Sequence, residues 1–327
     1  MSALERLCQT QMSSTTGHPL IFDRPLLRRR RMRALRLGAS TFLLERVAQD
    51  LAERLASVVR HFEWAVDLGT PGNLVRRALS GTGRITSMAG VDPLMHALRD
   101  HLQAEATSSA AFAVAGDEEV LPLRDASLNL VVSVLSLQFV NDLPGTLIQI
   151  RRALKPDGLL LAALLGGDSL TELRHAFAIA EAETEGGVSP RVIPFLDVQA
   201  AGALLQRAGF ALPVTDVDRI TVRYDSALAL MRDLRHMGAS NPMVERSRRP
   251  LKRAALRRMI EVYAERFADA DNRIRATFDI IWLSGWAAHE SQQKPLTPGA
   301  AQRRLSDALG VKEISAGERA GGGKGNE

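Results

Sequence analysis

Residues Val66-Asp67-Leu68-Gly69-Thr70-Pro71-Gly72-Asn73 join an apolar stretch to a helical pattern. Glycines in such a strand-to-helix turn let the backbone approach a ligand closely. Asp92 ends the next apolar stretch and Asp117 the one after it. A carboxylate at the first of these ends can accept hydrogen bonds from both hydroxyls of a ribose. One at the second can accept from an adenine amino group. Each such charge-assisted bond contributes about 1.5–3 kcal/mol. A glycine turn followed by acids at two strand ends therefore points to a nucleoside site. Either acid alone could serve as a plain turn or cap residue.

A dinucleotide site needs G-x-G-x-x-G around a pyrophosphate at a helix start. Gly69 and Gly72 are present, but position 71 is Pro and no third glycine completes the pattern. S-adenosylmethionine carries no phosphate, and the order strand, glycine turn, helix, strand, acid suits it better. Asp168 and Glu172 lie four apart where a helix is expected to start, after Gly166-Gly167. That spacing puts both on one helical face, where an arginine side chain from a partner could pair. The plain alternative is that both suit the positive helix terminus. His61, His96, His101, His175, His236 and His289 lack the His-x3-His spacing of a helical metal site, so no metal is expected. No Gly-x-Ser-x-Gly elbow is present, which argues against a hydrolase of that type. Trp64, Trp282 and Trp286 are expected to pack in the core.

These residues need elements to hold them. Trp64–Gly69, Ile85–Asp92, Ala110–Asp117, Leu128–Leu137 and Leu159–Leu165 read as short buried strands, the first ending in the glycine turn. Gly72–Leu79, a segment opening at Pro93, and Leu143–Leu154 read as helices between them, with Lys155-Pro156-Asp157-Gly158 as a stop-and-turn signal. Strands alternating with helices in this rhythm predict a parallel sheet covered on both faces. Ligands of such sheets sit at the carboxyl ends of the strands. Beyond Gly167, helices are expected over Ser169–Glu183, Asp197–Ala208, Ala227–His236 and Leu251–Phe267. Gly209–Tyr224 contains strand-like segments, and Thr277–Ala287 reads as a last strand.

The 327 residues are 46% hydrophobic and 24% charged, which excludes a wholly disordered, collagen-like or disulfide-stapled chain. Cys8 is the sole cysteine, so no internal disulfide or cysteine metal site forms. No apolar run reaches the ~18 residues of a membrane span. With neither a secretory signal nor a transit peptide apparent, the chain reads as cytoplasmic. The net charge of +5 is modest but uneven. Arg24, Arg28, Arg29, Arg30, Arg31, Arg33 and Arg36 form one cluster, and a second runs from Arg246 to Arg258. Either could bind phosphates or an acidic partner, and the plain reading is a solvated helix face. Neither is interleaved with aromatics, which argues against nucleic acid. The expected organisation is a flexible N-terminus over 1–20, a basic helical region over 21–60, the main domain over 61–295 and a largely disordered tail over 296–327.

Several stretches together resemble a known superfamily. Trp64–Gly72, Gly90–Asp92, Ala115–Asp117, Leu128–Leu137 and Leu154–Gly158 are similar to the class I S-adenosylmethionine-dependent methyltransferases. The resemblance is greatest to the branch that holds the malonyl-carrier-protein methyltransferase of biotin synthesis and an arginine-hydroxylating assembly factor of respiratory complex I. Ile21–Arg24, Val131–Pro144, Gly166–Arg174, Glu181–Pro190, Met237–Asn241 and Gly285–Gln292 look like the assembly factor in particular.

The resemblance implies a Rossmann-like α/β fold: a seven-stranded, mostly parallel sheet with its last strand antiparallel, plus helical decorations. It implies S-adenosyl-L-methionine as cofactor, with Asp67, Gly69, Gly72, Asp92, Asp117 and Val134 as candidate binding residues; Asp168 and Glu172 are the candidate catalytic residues on the strength of their spacing. It also implies a protein substrate, an arginine of an iron–sulfur subunit of complex I, hydroxylated rather than methylated during assembly, with peripheral membrane association as an option. The family turn reads D-L-G-C-G-x-G. Here Thr70, Pro71 and Asn73 depart from it, Gln138 stands for the usual His, and Asn129 for the usual Asp. Pro71 removes a backbone donor and fixes φ. A non-catalytic assembly factor with an eroded site, or a methyltransferase of a carrier protein or nucleic acid, are the alternative readings.

Overall fold

The apolar runs become strands because neighbours cover both of their faces. In β1 (Phe62–Leu68), β2 (Ile85–Asp92), β4 (Leu128–Val134) and β5 (Leu154–Gly166), most residues of the carboxyl halves are buried. The computed structural model describes residues 20–102, 110–292 and 310. The flexible segment expected at 1–20 and the tail expected at 296–327 lie outside these, Leu20 and Gly310 apart.

One seven-stranded sheet runs in the order β3-β2-β1-β4-β5-β7-β6, with β3 spanning Ala110–Ala115. β1, β2, β3, β4 and β5 pair in parallel. β7 (Ile274–Ala287) is antiparallel to both β5 and β6 (Phe210–Tyr224), as the resemblance implies. The chain moves outward from β1 through β2 to β3, then returns to the other side of β1 as β4. That reversal opens a crevice at the carboxyl ends of β1 and β4, where ligands of such sheets bind.

Side chains alternate between two layers. Leu159, Leu161 and Ala163 of β5 join one core with α2 (Phe42–Ala56), α3 (Leu74–Ser80), α6 (Thr171–Glu185), α8 (Ala227–His236) and α9 (Arg253–Phe267). Leu160, Ala162 and Leu164 join the other with α5 (Leu143–Ala153) and α7 (Val198–Arg207). α4 (Met95–Leu102) packs against β2 and β3. The four-residue steps of α2 put Val47, Leu51 and Leu55 fully inside, each worth about 1.5–3 kcal/mol of burial.

α1 (Arg24–Leu37) begins at an Asp23 cap, whose carboxylate accepts from the Leu26 amide at 2.9 Å, with Pro25 in the first turn. Phe22 and Leu27 anchor its start on Phe139, Ile193 and Met243. The described residues up to His289, α1 and α2 among them, pack as one unit. No helix among the described residues is long and apolar enough to cross a membrane.

Backbone geometry trims several expected elements. β4 stops at Val134 because Leu135 takes φ +53 and a 3-10 turn, Leu137–Phe139, follows. β3 stops short of Asp117, which bridges to Val120 in a loop. α3 starts at Leu74 because Gly72 sits at φ +78. α6 starts at Thr171, after Leu170 at φ +55. The expected turn at residues 155–158 instead becomes an irregular start to β5, with Asp157 at φ +63 and a register shift opposite β4. Trp64 is half-exposed on β1 rather than in the core, while Trp282 is buried beneath the Arg54 guanidinium, 4.2 Å from its ring centre.

Candidate functional site

The glycine turn closes tightly over β1. Gly69 has φ +71, and its amide donates to the Val91 carbonyl at 2.7 Å. A methyl group there would run into Ser136 Oγ and lie 2.6 Å from Glu118 Oε1, so only glycine fits. Gly72, also at positive φ, faces open space. Asp67 lies under the turn, with no hydrogen-bond partner for its Oδ1 among the described residues. Burial pushes its carboxyl up to about 8; nearby Asp92 adds to this, while a hydrogen bond from the Thr70 hydroxyl opposes it. Thr70 Oγ1 also accepts from the Val134 amide at 3.0 Å, tying β4 to the turn. Val134 is thus fully buried and contributes its backbone rather than a surface.

A raised native pKa has a definite sign. Between its unfolded value near 4 and about 8, native Asp67 holds a proton that the unfolded chain has lost, so stability falls as pH rises through that window. Asp67→Asn has no proton to lose. Its Tm advantage over wild type should widen from pH 5 to pH 8 and level off above. A constant difference across that range in calorimetric scans would show that Asp67 does not titrate in the fold.

Asp92 is buried at the end of β2, where its Oδ1 accepts from the Leu94 amide at 2.6 Å. Burial raises its carboxyl to about 6. Arg31, the Leu94 bond and Arg28 pull it back, and Glu118 pushes it up. Asp117 is held by α1: its Oδ1 accepts from Arg24 Nη2 at 2.7 Å and from the Glu119 amide at 2.9 Å, and its Oδ2 pairs with Arg28. Next to it, Glu118 is almost fully buried. Glu118 pairs with Arg24, accepts from Ser136 Oγ at 3.1 Å and lies 3.6 Å from Arg31 Nη1. Burial alone would raise its carboxyl, but Arg24 and Arg31 outweigh this and hold it below the usual range.

A cavity of about 460 Å³ opens above the turn, within the range of small-molecule sites. Pro71, Gly72, Asn73 and Asp92 form one side of it, Leu135, Gln138 and Phe139 another, and Arg31, Ala34 and Leu35 of α1 a third. Pro71 and Asn73, the departures from the family turn, line this space without closing it. The residues present therefore fit S-adenosylmethionine: an open glycine turn, an orphaned carboxyl oxygen below it, and Asp92 in the wall. Asp117 is outside the lining, its oxygens held by Arg24, Arg28 and the Glu119 amide.

The sequence pattern suggested that Asp168 and Glu172 share one face, and the structure separates them. Asp168 is exposed and pairs with Arg219 at 2.8 Å, while its amide donates to Asp279 Oδ2 at 3.1 Å. Glu172 turns inward, and both of its oxygens are taken by Thr277, through the hydroxyl at 2.5 Å and the amide at 3.1 Å. The cause is Leu170, whose left-handed φ delays the helix by two residues. Neither acid lines the cavity.

Glu118, Arg24, Arg28 and Arg31 were missed as site residues. The signal was present: 24, 28 and 31 follow helical steps on the same side as Leu27 and Ala34. Arg24 and Arg31 are therefore 8% exposed and not part of a solvated face. Arg29, Arg33 and Arg36 do face out. In the second basic cluster Arg246 pairs with Asp23, Lys252 with Glu185, and Arg258 with Glu183 and Glu265.

Sheet order, switch-point crevice and glycine turn define a class I methyltransferase fold. Residues 66–162 match the methyltransferase domain family. The YcgJ protein of Bacillus subtilis shares the fold, at a TM-score of 0.52 and 14% identity over 75% of this chain and 99% of its own. The chain is 39% identical to arginine-hydroxylase NDUFAF5, mitochondrial, of Homo sapiens, over 86% of this chain and 81% of the relative. It is 35% identical to the Danio rerio protein of that name, over 90% and 91%. It is also 35% identical to the malonyl-[acyl-carrier protein] O-methyltransferase of Laribacter hongkongensis, over 79% and 86%.

The chain belongs to the class I S-adenosylmethionine-dependent methyltransferase superfamily and, within it, to the arginine-hydroxylase NDUFAF5 family. It is an enzyme of this fold, and S-adenosylmethionine is the cofactor that goes with that membership. The cytoplasmic expectation is overturned: the human, mouse and zebrafish relatives are named as mitochondrial, which points to that compartment instead.

Proposed function

We propose that this protein binds S-adenosylmethionine and hydroxylates an arginine of an iron–sulfur subunit of respiratory complex I during its assembly. The span of the likeness to proteins named as arginine hydroxylases carries the reading. The open cavity beside Asp92 supports it.

In this assignment Asp92 accepts from the ribose hydroxyls and Asp117 from the adenine amino group. Gly69 and Gly72 let the backbone come close, and Asp67, through Thr70, holds the turn against Val134. When bound, S-adenosylmethionine would supply an electron-poor sulfonium group. The chain's own residues position the substrate and, through the apolar wall of Ala34, Leu35 and Phe139, exclude water. The substrate is a protein whose arginine side chain enters the cavity. Asp168 and Glu172 have no part in this assignment: Glu172 is buried against Thr277, and Asp168 pairs with Arg219 on the surface, away from the cavity.

Adding one oxygen atom to a C–H bond is a two-electron oxidation, so the test incubates the purified protein with the separate iron–sulfur subunits of complex I, S-adenosylmethionine, dioxygen and an electron donor, the second oxygen atom leaving as water, and reads the outcome by peptide mass spectrometry. The expected product is one oxygen atom added at a single arginine. Addition of a methylene would make the chain a methyltransferase, as its carrier-protein relative is named. No modification, together with full rescue of a deletion strain by an Asp92→Ala/Asp117→Ala variant, would leave a non-catalytic assembly factor.

A further inference from the structure

Arg31 is a buried cation with loose partners. Its Nη2 lies 3.4 Å from Ser136 Oγ and its Nη1 3.6 Å from Glu118 Oε1. Good charge-assisted bonds are about 2.7–2.9 Å long. Arg24 makes such bonds: it holds Glu118 and reaches Asp117 at 2.7 Å. The Phe139 ring, 5.6 Å away, supports the Arg31 guanidinium from one side. A guanidinium carries five donors in a planar fork, and keeping it buried without close acceptors is unfavourable. Arg31 also lines the cavity, together with Asp92 and Gly72.

Its place along the sheet indicates what it would meet. From β3 to β4 the carboxyl ends present Asp117, Asp92, Gly69 and Ser136 in that order. With adenine at Asp117 and ribose at Asp92, the amino-acid limb of the cofactor continues across Gly69 towards Ser136. Arg31 stands there. A carboxylate already sits at this spot, because Glu118 Oε1 lies between Ser136 Oγ, Arg31 and the Gly69 backbone.

We propose that Arg31, in the cavity wall, is the anchor for the α-carboxylate of S-adenosylmethionine. On binding, the ligand carboxylate takes the Arg31 fork from Glu118, and Arg24 retains Glu118. No bond is made or broken other than hydrogen bonds. The inference rests on the cofactor reading above and deepens it by naming the residue that recognises the amino-acid end.

The test compares two ligands that differ only in that group, S-adenosylmethionine and decarboxylated S-adenosylmethionine, by calorimetric titration of the full chain. Wild type should bind the first at least about 30-fold more tightly, roughly 2 kcal/mol. Arg31→Met keeps the aliphatic stem and should lose that preference, leaving the decarboxylated ligand within about threefold of wild type. Arg31→Lys should restore part of it. Equal affinity of wild type for both ligands overturns the proposal while leaving the cofactor reading intact. So does an equal loss of both in Arg31→Met with an unchanged Tm. If Arg31→Met does not fold, the wild-type ratio and the Lys variant still decide. Failure of wild type to bind either ligand at millimolar concentration removes the cofactor reading and this inference with it.

Discussion

Glu118→Ala is expected to destabilise the folded chain by about 3 kcal/mol and to lower its Tm by about 6 °C or more. Glu118 is the counter-charge shared by Arg24 and Arg31, and all three are buried. Removing one member of a buried ion cluster leaves the others desolvated without compensation. Arg24 keeps Asp117, so the loss stays at the lower end of what such deletions cost. Glu118→Gln, which retains an acceptor for Ser136 Oγ, should lose less. The exposed Arg152–Asp125 pair, 2.9 Å long, is the control, and its removal should cost under about 1 kcal/mol. Urea unfolding at neutral pH measures all three. In a double-mutant cycle, Glu118→Ala and Arg24→Met should fall short of additivity by about 1–3 kcal/mol. A loss at Glu118 no larger than at the control pair would mean that the cluster does not hold α1 to the sheet.

The second large effect concerns the cofactor. Asp92→Ala should weaken S-adenosylmethionine binding by about 150-fold or more, roughly 3 kcal/mol, since two charge-assisted hydrogen bonds to the ribose disappear. The wild-type affinity should also depend on pH. Only the ionised carboxylate accepts from both hydroxyls, and Asp92 is raised to about 6. Lowering the pH from 7 to 5 should therefore weaken binding by about tenfold, whereas Asp92→Asn should be weaker throughout and flat over that range. Titration calorimetry at three pH values gives the answer. A pH-independent wild-type affinity would place the ribose away from Asp92. Because Asp92 Oδ1 also accepts the Leu94 amide, the Tm of each variant must be measured alongside, so that a lost turn is not mistaken for a lost ligand contact.

Much of the architecture is legible in the sequence itself. The unbroken burial of β5 from Gly158 to Gly166 and the four-residue steps in α2 follow directly from where Leu, Val and Ala fall. Proline and aspartate at Asp142-Leu143-Pro144 mark the start of α5, where Asp142 accepts from the Gly145 amide at 2.8 Å. The glycine turn and Asp92 were visible for the same reason: their roles depend on local backbone form and on position at a strand end.

What escaped the reading depends on residues far apart in the chain. Arg24 and Glu118 are separated by 94 positions, and nothing near Arg24 says that its fork is turned inward. Seven arginines in one stretch looked like a wet surface because charge usually stays in water. Only the acids at the β3 end make burying two of them tolerable. Glu172 illustrates the opposite error. Its spacing from Asp168 is local, but its partner, Thr277, arrives on a strand 105 positions later.

Short-range chemistry, then, was enough to specify the strands, the order of turn and acids, and the superfamily to which they belong. Deciding which carboxylates remain free to meet a ligand took the assembled molecule. A buried charge is settled by whichever opposite charge the packing brings to it, and packing here joins α1, the β3 loop and the turn after β4.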